Sequence, residues 1–325
     1  VVACSGITDS SGIATCTAAL TADVGTYASG VGASFAGDGI YAPSTATAQL
    51  VVNAKHITGS FTAADKVYDG SAAATVLTRS LTGVLVGDAV ELTSGTATFA
   101  NKNVGVDKVV TLGGAALSGL DAGNYVLDSV ATTTASITAL HVTGAFTAGN
   151  KVYDGNIDAT VLTRTVVGAP VGDAVELTGG TAAFADKTVG TGKVVTLSGA
   201  ALSGADAGNY VLDSVATTTA SITALHVTGA FTAADKVYDR EIAAVVLTRS
   251  LVGAILGDAV ELNGGAASFA DKTVATGKVV TLTGAALSGL DAGNYVLDSV
   301  ATTTASITAL HVTGRFIAGD KMYDG

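Results

Sequence analysis

Oxygen-bearing side chains recur at fixed positions along the chain and form the first candidate site. Calcium takes six to eight oxygen ligands, so carboxylates from two turns and a unit junction could clamp neighbouring units. The same residue types also cap turns through their own backbone, and no contiguous calcium-loop spacing is present, so turn capping is the competing interpretation. The candidate calcium ligands are Asp173, Glu176, Asp206, Asn209 and Asp213, with the repeat equivalents Asp88, Glu91, Asp121, Asn124, Asp128, Asp258, Glu261, Asp291, Asn294 and Asp298.

Catalytic chemistry finds less support in the sequence. A nucleophilic enzyme needs a serine, cysteine or threonine beside a base that a third group orients. Each unit has one histidine at the start of a predicted strand, and no motif supplies its partners. Residues 199–204 resemble a phosphate-binding loop, but Ala205 follows where such a loop requires lysine. We therefore expect no enzyme, and no cofactor other than the candidate calcium.

A covalent cross-link is a third candidate chemistry. A lysine and an asparagine can form an amide bond spontaneously when a carboxylate assists in an apolar pocket. Lys151, Lys187 or Lys193 with Asn209 and a nearby aspartate would supply the groups. Lysines are far more often exposed than buried, so an ordinary solvated role for these side chains is the alternative.

A pentapeptide, Lys-Val-Tyr-Asp-Gly, recurs at a fixed interval along the chain. We expect its tyrosine to cover a small core, with the phenol hydroxyl reaching solvent or a backbone partner, and its aspartate to cap the following turn. Gly155 should take a positive φ. Arg240 stands at that position in the third copy, so either the position tolerates an ordinary φ or the third unit is strained. The repeated pairs are Tyr68 and Asp69, Tyr153 and Asp154, Tyr238 and Asp239, and Tyr323 and Asp324.

The constant spacing of these tyrosines divides the chain into tandem units. We predict full units at residues 56–140, 141–225 and 226–310, and the start of a fourth at 311–325, after a different module at 1–55. The second and third full units differ at 16 aligned positions. Such similarity can reflect recent duplication as well as selection, so unchanged residues alone do not identify a site.

The elements that must position these residues are predicted to be strands. In the second unit, runs rich in β-branched residues and bounded by Gly, Asp or Asn occupy residues 142–146, 159–165, 174–177, 181–185, 193–197 and 210–225. One unit passes into the next without a linker, which predicts a stiff junction. We expect an all-β protein of small antiparallel, β-sandwich-like domains in an elongated array, with a continuous β-solenoid as the alternative.

Composition and charge exclude some partners. The 325 residues carry a net charge of −11 and no basic patch, which disfavours nucleic acid and anionic lipid. Residues 129–150 have no Asp, Glu, Lys or Arg, but Thr, Ser and Gly alternate with their apolar residues as in a strand pair, so we expect no membrane span within this sequence.

The opening module, at 1–55, contains both cysteines, Cys4 and Cys16, which flank a turn-rich stretch. A disulfide between them would fix a hairpin, and two buried free thiols are the alternative. The motifs Gly25-Thr26-Tyr27, Ala33-Ser34-Phe35-Ala36-Gly37-Asp38, Tyr41-Ala42-Pro43-Ser44 and Ala48-Gln49-Leu50-Val51-Val52 resemble the second half of a bacterial Ig-like repeat. The module is therefore identified as part of an Ig-like β domain.

The repeats resemble the YDG domain of large bacterial exoproteins. The resemblance spans residues 56–325 and is carried by the pentapeptide together with three ordered motifs, at residues 172–177, 184–187 and 202–210. It implies a structural stalk or filament segment of a secreted or surface-attached, adhesin-like protein. The implied partners are other copies, in fibres, or neighbouring domains of the same long chain. A cell-surface module that binds calcium, a glycan or a partner is the alternative function.

Overall fold

The computed structural model describes residues 3–325, and these residues fold into β-strands joined by turns, with no α-helix among them. Correspondingly, no helix in this described range is long and apolar enough to cross a membrane. The opening module contains one antiparallel hairpin, in which strand β1 (Gly25–Phe35) pairs with strand β2 (Ser44–Val52). The prediction of an all-β fold is confirmed.

Each of the three full units repeats nearly the same order of strands. The strands of repeat 1 are β3 (Lys55–Ala63), β4 (Lys66–Val67), β5 (Ala73–Ala74), β6 (Val76–Thr82), β7 (Glu91–Phe99), β8 (Gly105–Ser118), β9 (Tyr125–Val130) and β10 (Thr133–Thr138). Those of repeat 2 are β11 (Leu140–Ala148), β12 (Lys151–Val152), β13 (Val161–Val167), β14 (Glu176–Phe184), β15 (Gly190–Ser203), β16 (Tyr210–Val215) and β17 (Thr218–Thr223).

Repeat 3 follows the pattern of repeat 1. Its strands are β18 (Leu225–Ala233), β19 (Lys236–Val237), β20 (Ala243–Ala244), β21 (Val246–Val252), β22 (Glu261–Phe269), β23 (Ala275–Ser288), β24 (Tyr295–Val300) and β25 (Thr303–Thr308). One 3-10 turn precedes the penultimate strand of each repeat, at Ala122–Asn124, Ala207–Asn209 and Ala292–Asn294. Residues 311–325 are exposed and form no strand.

Each repeat contains two sheets. In repeat 1 the three-stranded sheet has the order β6-β3-β9 and the five-stranded sheet has the order β4-β10-β8-β7-β5. The pairs β3 with β9 and β4 with β10 are parallel, so the sheets are mixed where we expected antiparallel ones. No sheet within residues 3–325 contains strands from two repeats, which excludes the alternative of a continuous β-solenoid.

A small apolar core lies between the two sheets of each repeat. On β3 the buried side chains of Ile57 and Phe61 alternate with exposed ones, as expected for a strand with one buried face. Gly59 lies between them, and a Cβ there would come 2.9 Å from Leu92 Cδ2 on β7. A glycine is therefore needed where the two sheets approach most closely.

The chain divides into two compact units that do not coincide with the repeats. The first unit contains residues up to His141 together with two loops of repeat 2, at 170–174 and 205–211. The second unit contains the rest of repeat 2, with all of repeat 3 and the residues that follow it. Loops of repeat 2 thus belong to the same unit as repeat 1, and their contacts with it form the first candidate site.

Candidate functional site at the repeat junctions

The pentapeptide segments build the first part of this site. Lys66 and Val67 form the short strand β4, and Asp69 Oδ1 then accepts hydrogen bonds from Lys66 Nζ at 2.7 Å and from the backbone N–H of Ser71 at 2.9 Å. Asp154 and Asp239 cap the corresponding turns, accepting from the backbone N–H groups two residues later. The aspartate is thus a turn cap in each of the three full units. Tyr323 and Asp324 lie in the exposed segment 311–325.

The tyrosine of the pentapeptide has a partner that the sequence did not indicate. Tyr68 is 1% exposed, and its hydroxyl donates to Asp173 Oδ2 at 2.6 Å, 105 residues along the chain. We expected this hydroxyl to reach solvent or a backbone group, and that expectation is wrong. The phenol reaches a carboxylate in a loop of the next repeat.

Asp173 is the centre of a cluster that we call the first junction cluster. Tyr210 donates to the same Oδ2 atom at 2.5 Å, while Lys102 Nζ lies 2.5 Å from Oδ1. The ammonium of Lys102 is also 3.0 Å from Asp206 Oδ1. The rings of Tyr68 and Tyr210 pack edge to face with centroids 5.3 Å apart. The cluster comprises Tyr68, Lys102, Asp173, Asp206, Asn209 and Tyr210, all within the first compact unit.

Asn209 links the backbones of the two repeats. Its Oδ1 accepts from the backbone N–H of Val104 at 2.9 Å, and its Nδ2 donates to Asn103 Oδ1 at 3.3 Å. The side chain is buried, and burial of an amide without partners would be costly. Asp206 shapes the loop that carries Asn209, because its Oδ2 accepts from the backbone N–H of Ala174 at 2.9 Å.

The second compact unit contains a second junction cluster with the same arrangement. Tyr153 and Tyr295 donate to Asp258 Oδ2 at 2.7 and 2.5 Å, and Lys187 Nζ lies 3.0 Å from Asp258 Oδ1. Lys187 is 3.7 Å from Asp291 Oδ1, a longer ion pair than its counterpart. Asn294 Oδ1 accepts from the backbone N–H of Val189 at 2.9 Å. This cluster is made of Tyr153, Lys187, Asp258, Asp291, Asn294 and Tyr295.

The electrostatics of the clusters favour the ionised pair. Hydrogen bonds from Lys102, Tyr210 and Tyr68 lower the pKa of Asp173 to about 2. Asp173 and Asp206 in turn raise the pKa of Lys102 well above its usual range. Burial and then the adjacent Asp173 raise the pKa of the Tyr68 phenol, so this group stays protonated and donates. At neutral pH the cluster therefore holds the two carboxylates of Asp173 and Asp206, one ammonium and two neutral phenols.

The opening module contacts repeat 1 through the same type of asparagine. Asn124 Oδ1 accepts from the backbone N–H of Val24 at 2.9 Å, and Asn124 Nδ2 donates to Asp23 Oδ1 at 3.0 Å. Tyr125 donates to Asp88 Oδ2 at 2.6 Å. Within residues 3–325, Asp88 has no lysine partner. The module therefore uses the asparagine part of the arrangement without the lysine part.

The structure separates the candidate calcium ligands. Asp173, Asp206 and Asn209 belong to the junction cluster, whereas Glu176 begins strand β14 and is exposed. Asp213 lies on β16, and its equivalents Asp128 and Asp298 are 2.5 and 2.6 Å from the Nδ1 atoms of His56 and His226. Among residues 3–325, no group of three or more His, Cys, Asp or Glu side chains is arranged to hold a metal ion. Calcium binding stays a prediction, and its test is given in the Discussion.

The lysines proposed for an amide cross-link have other partners. Lys151 Nζ is 2.7 Å from Asp154 Oδ1, and Lys193 Nζ is 2.5 Å from Asp186 Oδ1. Lys187 pairs with Asp258 as described. An attacking amine must be neutral, and Asp258 raises the pKa of Lys187 instead. These contacts favour ion pairs over amide formation.

Cys4 and Cys16 form a disulfide, with Cα atoms 5.8 Å apart, inside the usual range for such a bond. Between them, Asp9 Oδ1 accepts from the backbone N–H groups of Ser11 and Ile13. The bond thus closes a turn-rich loop.

Comparisons with known proteins agree with the repeat structure. The family model described as the YDG domain matches residues 53–135, 134–221 and 222–305, well over half of the chain. A comparison with curated proteins finds no match. All residues of both junction clusters fall inside the three matched segments.

Proposed function

Because the chain belongs to the YDG-domain family, we propose that it is a structural segment whose repeats bind one another through the junction clusters. In this proposal the chain has no catalytic role. It forms part of the shaft of a large extracellular bacterial protein of the adhesin type. The observation that carries the proposal is the recurrence of the same Tyr–Asp–Lys–Asn arrangement at two successive junctions.

The chemistry of the clusters suits a mechanical role. A charge-assisted hydrogen bond is about twice as strong as a neutral one, and each cluster places three such donors on one carboxylate. Truncating one partner leaves a buried charge without its counterpart, which is strongly unfavourable. Opening a junction therefore means breaking several bonds together, which is the property required of a stiff connection.

The short covalent connection between repeats also supports a stiff shaft. Strand β10 ends at Thr138 and β11 begins at Leu140, and in the same way β17 ends at Thr223 and β18 begins at Leu225. A single residue between strands provides little freedom for the chain to bend. Short connections together with the clusters support the proposal of a shaft.

An extracellular location accords with two further features. The Cys4–Cys16 disulfide is of a kind that persists in oxidising compartments. The net charge of −11 and the absence of basic blocks in the sequence fit a surface chain that avoids anionic partners.

Small-angle scattering from the full chain tests the proposal. A compact protein of this length would have a radius of gyration of about 20 Å, and we expect a clearly larger value with the profile of a rod. The double variant D173N/D258N weakens both clusters and should broaden the distribution of interatomic distances. The matched control E176Q/E261Q removes two exposed carboxylates of the same repeats and should leave the profile unchanged. A compact particle, or equal effects of the two variants, would contradict the proposal.

A further inference from the structure

Repeat 3 carries a third copy of the surface that binds the loops of the next repeat, and this copy has no partner within residues 3–325. We call it the open face and define it by Tyr238, Arg240, Lys272 and Val274. Tyr238 is partly exposed, whereas Tyr68 and Tyr153 are 1% and 2% exposed. Val274 is 50% exposed, and Lys272 makes no ion pair or hydrogen bond with any described residue.

The open face has the same strand pairing and the same loop contacts as the occupied face of repeat 2. Strand β19 pairs in parallel with β25 in the register by which β12 pairs with β17, and this pairing positions Tyr238. The loop that carries Lys272 and Val274 is held by Asp271 Oδ1, which accepts from the backbone N–H of Thr273 at 2.8 Å and contacts Lys278 Nζ at 2.5 Å. Asp186 holds the corresponding loop of repeat 2 in the same way. The binding groups are therefore preorganised without a partner.

The chemistry of this face determines what it can bind. A phenol hydroxyl, an ammonium, a guanidinium and the backbone N–H of Val274 are all hydrogen-bond donors, and two of them are cations. A fitting partner must present acceptors and negative charge. At both occupied junctions the partner is a pair of loops with two aspartates, an asparagine and a tyrosine, as in Asp173, Asp206, Asn209 and Tyr210.

We propose that the open face binds the paired Asp and Asn loops of a further YDG unit that follows repeat 3. This inference rests on the proposed function, because it takes the two junction clusters as the mode by which repeats bind. The further unit would place one carboxylate between Tyr238 and Lys272 and an asparagine amide on the backbone of Val274. Continuity with two established junctions identifies the occupant.

Arg240 makes the open face selective. A Cβ at Gly70 would lie 3.2 Å from Pro170 Cβ and 4.0 Å from Asp173 Oδ1, and a Cβ at Gly155 would lie 3.3 Å from Ile255 Cγ2. Arg240 has this Cβ and a guanidinium beyond it. The Cβ of any residue at the position of Pro170 must therefore shift by a few tenths of an ångström, and an aspartate there offsets this crowding by pairing with the guanidinium. The preferred partner carries an acidic residue at that position.

The test replaces residues 311–325, which follow Leu310, with a copy of residues 141–225 that carries P170D. The rate at which a soluble acylating reagent modifies Lys272 is measured by peptide mass spectrometry, with Lys102 and Lys187 of the same molecules as internal references. We expect modification of Lys272 to slow about tenfold, to a rate similar to that of Lys187, because ion pairing and hydrogen bonding withhold the amine. Unchanged rates for Lys102 and Lys187 verify that the parent fold is intact.

Three further chains complete the experiment. An extension that also carries D173A and D206A in the copied unit should leave Lys272 as reactive as in the unextended chain. An extension with Pro170 unchanged should protect Lys272 less, and the substitution R240G in repeat 3 should restore that protection. Equal reactivity of Lys272 with and without the P170D extension overturns the proposal. So does protection that rises with concentration in the unextended chain, because a second copy is then the occupant. A compact scattering profile with protected Lys272 would reject the shaft and retain the docking face.

Discussion

Asp173 joins the repeated tyrosine and a lysine, which the sequence presents as separate candidates. The repeated tyrosines and aspartates were recognisable as candidates, and the turn-capping role of Asp69 followed from its residue type. That Tyr68 and Asp173 meet was not predictable, because they are 105 residues apart and nothing local specifies the pairing. The useful signal was the cationic partner Lys102, which recurs as Lys187 with the same interval as the tyrosines. Considering this recurring lysine together with the acidic group would have favoured an ion pair over a calcium site.

The phenol hydroxyls provide the first prediction. We expect Y68F and Y153F each to lower the free energy of unfolding by about 1.5–2 kcal/mol, because each removes a buried hydrogen bond to a carboxylate. The matched control is Y238F, whose hydroxyl has no partner among the described residues and whose effect should be close to zero. Urea unfolding followed by circular dichroism measures all three. Equal losses for the three variants would contradict this explanation, because Y238F removes a hydroxyl that has no junction partner.

Arg240 provides the second prediction. Its φ is 77°, and Gly70 and Gly155 have φ of 79° and 80° at the same position, so the third repeat holds an arginine in a left-handed conformation. Of the two outcomes expected for Arg240, an ordinary φ or a strained unit, the structure has the strained one. We expect R240G to stabilise the chain by about 1 kcal/mol, because relief of this strain outweighs the added freedom of glycine in the unfolded chain. The reverse change G155R should destabilise by more, since its Cβ would also crowd Ile255. A destabilising R240G would show that the arginine side chain makes contacts worth more than the strain.

The low pKa of Asp173 provides the third prediction. A carboxyl whose folded pKa is about 2 and whose ordinary value is 3.8 contributes stability above about pH 4, and that contribution is lost as the pH falls toward 2. We therefore expect the thermal midpoint to fall over this window. The slope should be shallower in D173N, which cannot titrate at this position, whereas E176Q should keep the slope of the parent chain. Parallel curves for the parent and D173N would contradict the assignment.

At the scale of elements, glycine was the main source of error in the predicted strand boundaries. Two separate strands were expected at residues 174–177 and 181–185, and the structure has the single strand β14. Gly179 and Gly180 were interpreted as the boundary between them. They take φ of 66° and 80° inside the β14–β15 pair, whose register is the same before and after them, so the strand continues through both glycines. The opposite error occurred at 210–225, where one long run is divided into β16 and β17.

The parallel strand pairs were beyond the reach of sequence patterns. Strand β3 pairs with β9 at the other end of its repeat, and β4 with β10. Alternation of buried and exposed residues defines a strand and its buried face, but it is the same for parallel and antiparallel neighbours. The all-β class and the core faces were therefore predictable, and the sheet order was not.

Sheet packing around Gly144 provides the fourth prediction. A Cβ at this position on β11 would lie 2.9 Å from Leu177 Cδ2, so G144A should crowd the core and destabilise the chain by about 1–3 kcal/mol. The control G208A adds a Cβ that meets nothing within 4 Å, and its φ is not positive. We expect a change below about 0.5 kcal/mol for G208A. Comparable losses for both variants in urea unfolding would show that the backbone freedom of glycine, and not packing, matters.

At the scale of the whole molecule, the fixed interval was the most informative property of the sequence. It divided the chain into repeated units, and the motifs within those units resemble the YDG domain. The family match confirms three tandem repeats over residues 53–305. The interval could not show which surfaces of successive repeats meet, because near-identical units carry every surface in every copy. The structure adds the distinction between the occupied surfaces and the open face.

The calcium hypothesis is tested at this scale, since a clamp at each junction would stabilise the entire chain. We expect millimolar calcium to leave the thermal midpoint unchanged, because both oxygens of Asp173 already accept hydrogen bonds and a calcium ion would have to displace Lys102. Magnesium at equal ionic strength is the control for general screening. A rise with calcium that magnesium does not reproduce, and that D173N abolishes, would establish the metal site.

The contact between Val24 and Asn124 has a consequence for which domains can precede repeat 1. Asn124 binds the backbone N–H of Val24, a group that every residue except proline possesses, and the opening module attaches there without the lysine used elsewhere. This part of the attachment is indifferent to side-chain identity. Of the two bonds that Asn124 makes to the opening module, only the one to Asp23 Oδ1 depends on a side chain. A different domain placed before repeat 1 would therefore need a backbone N–H and one acceptor side chain at this position to reproduce both bonds.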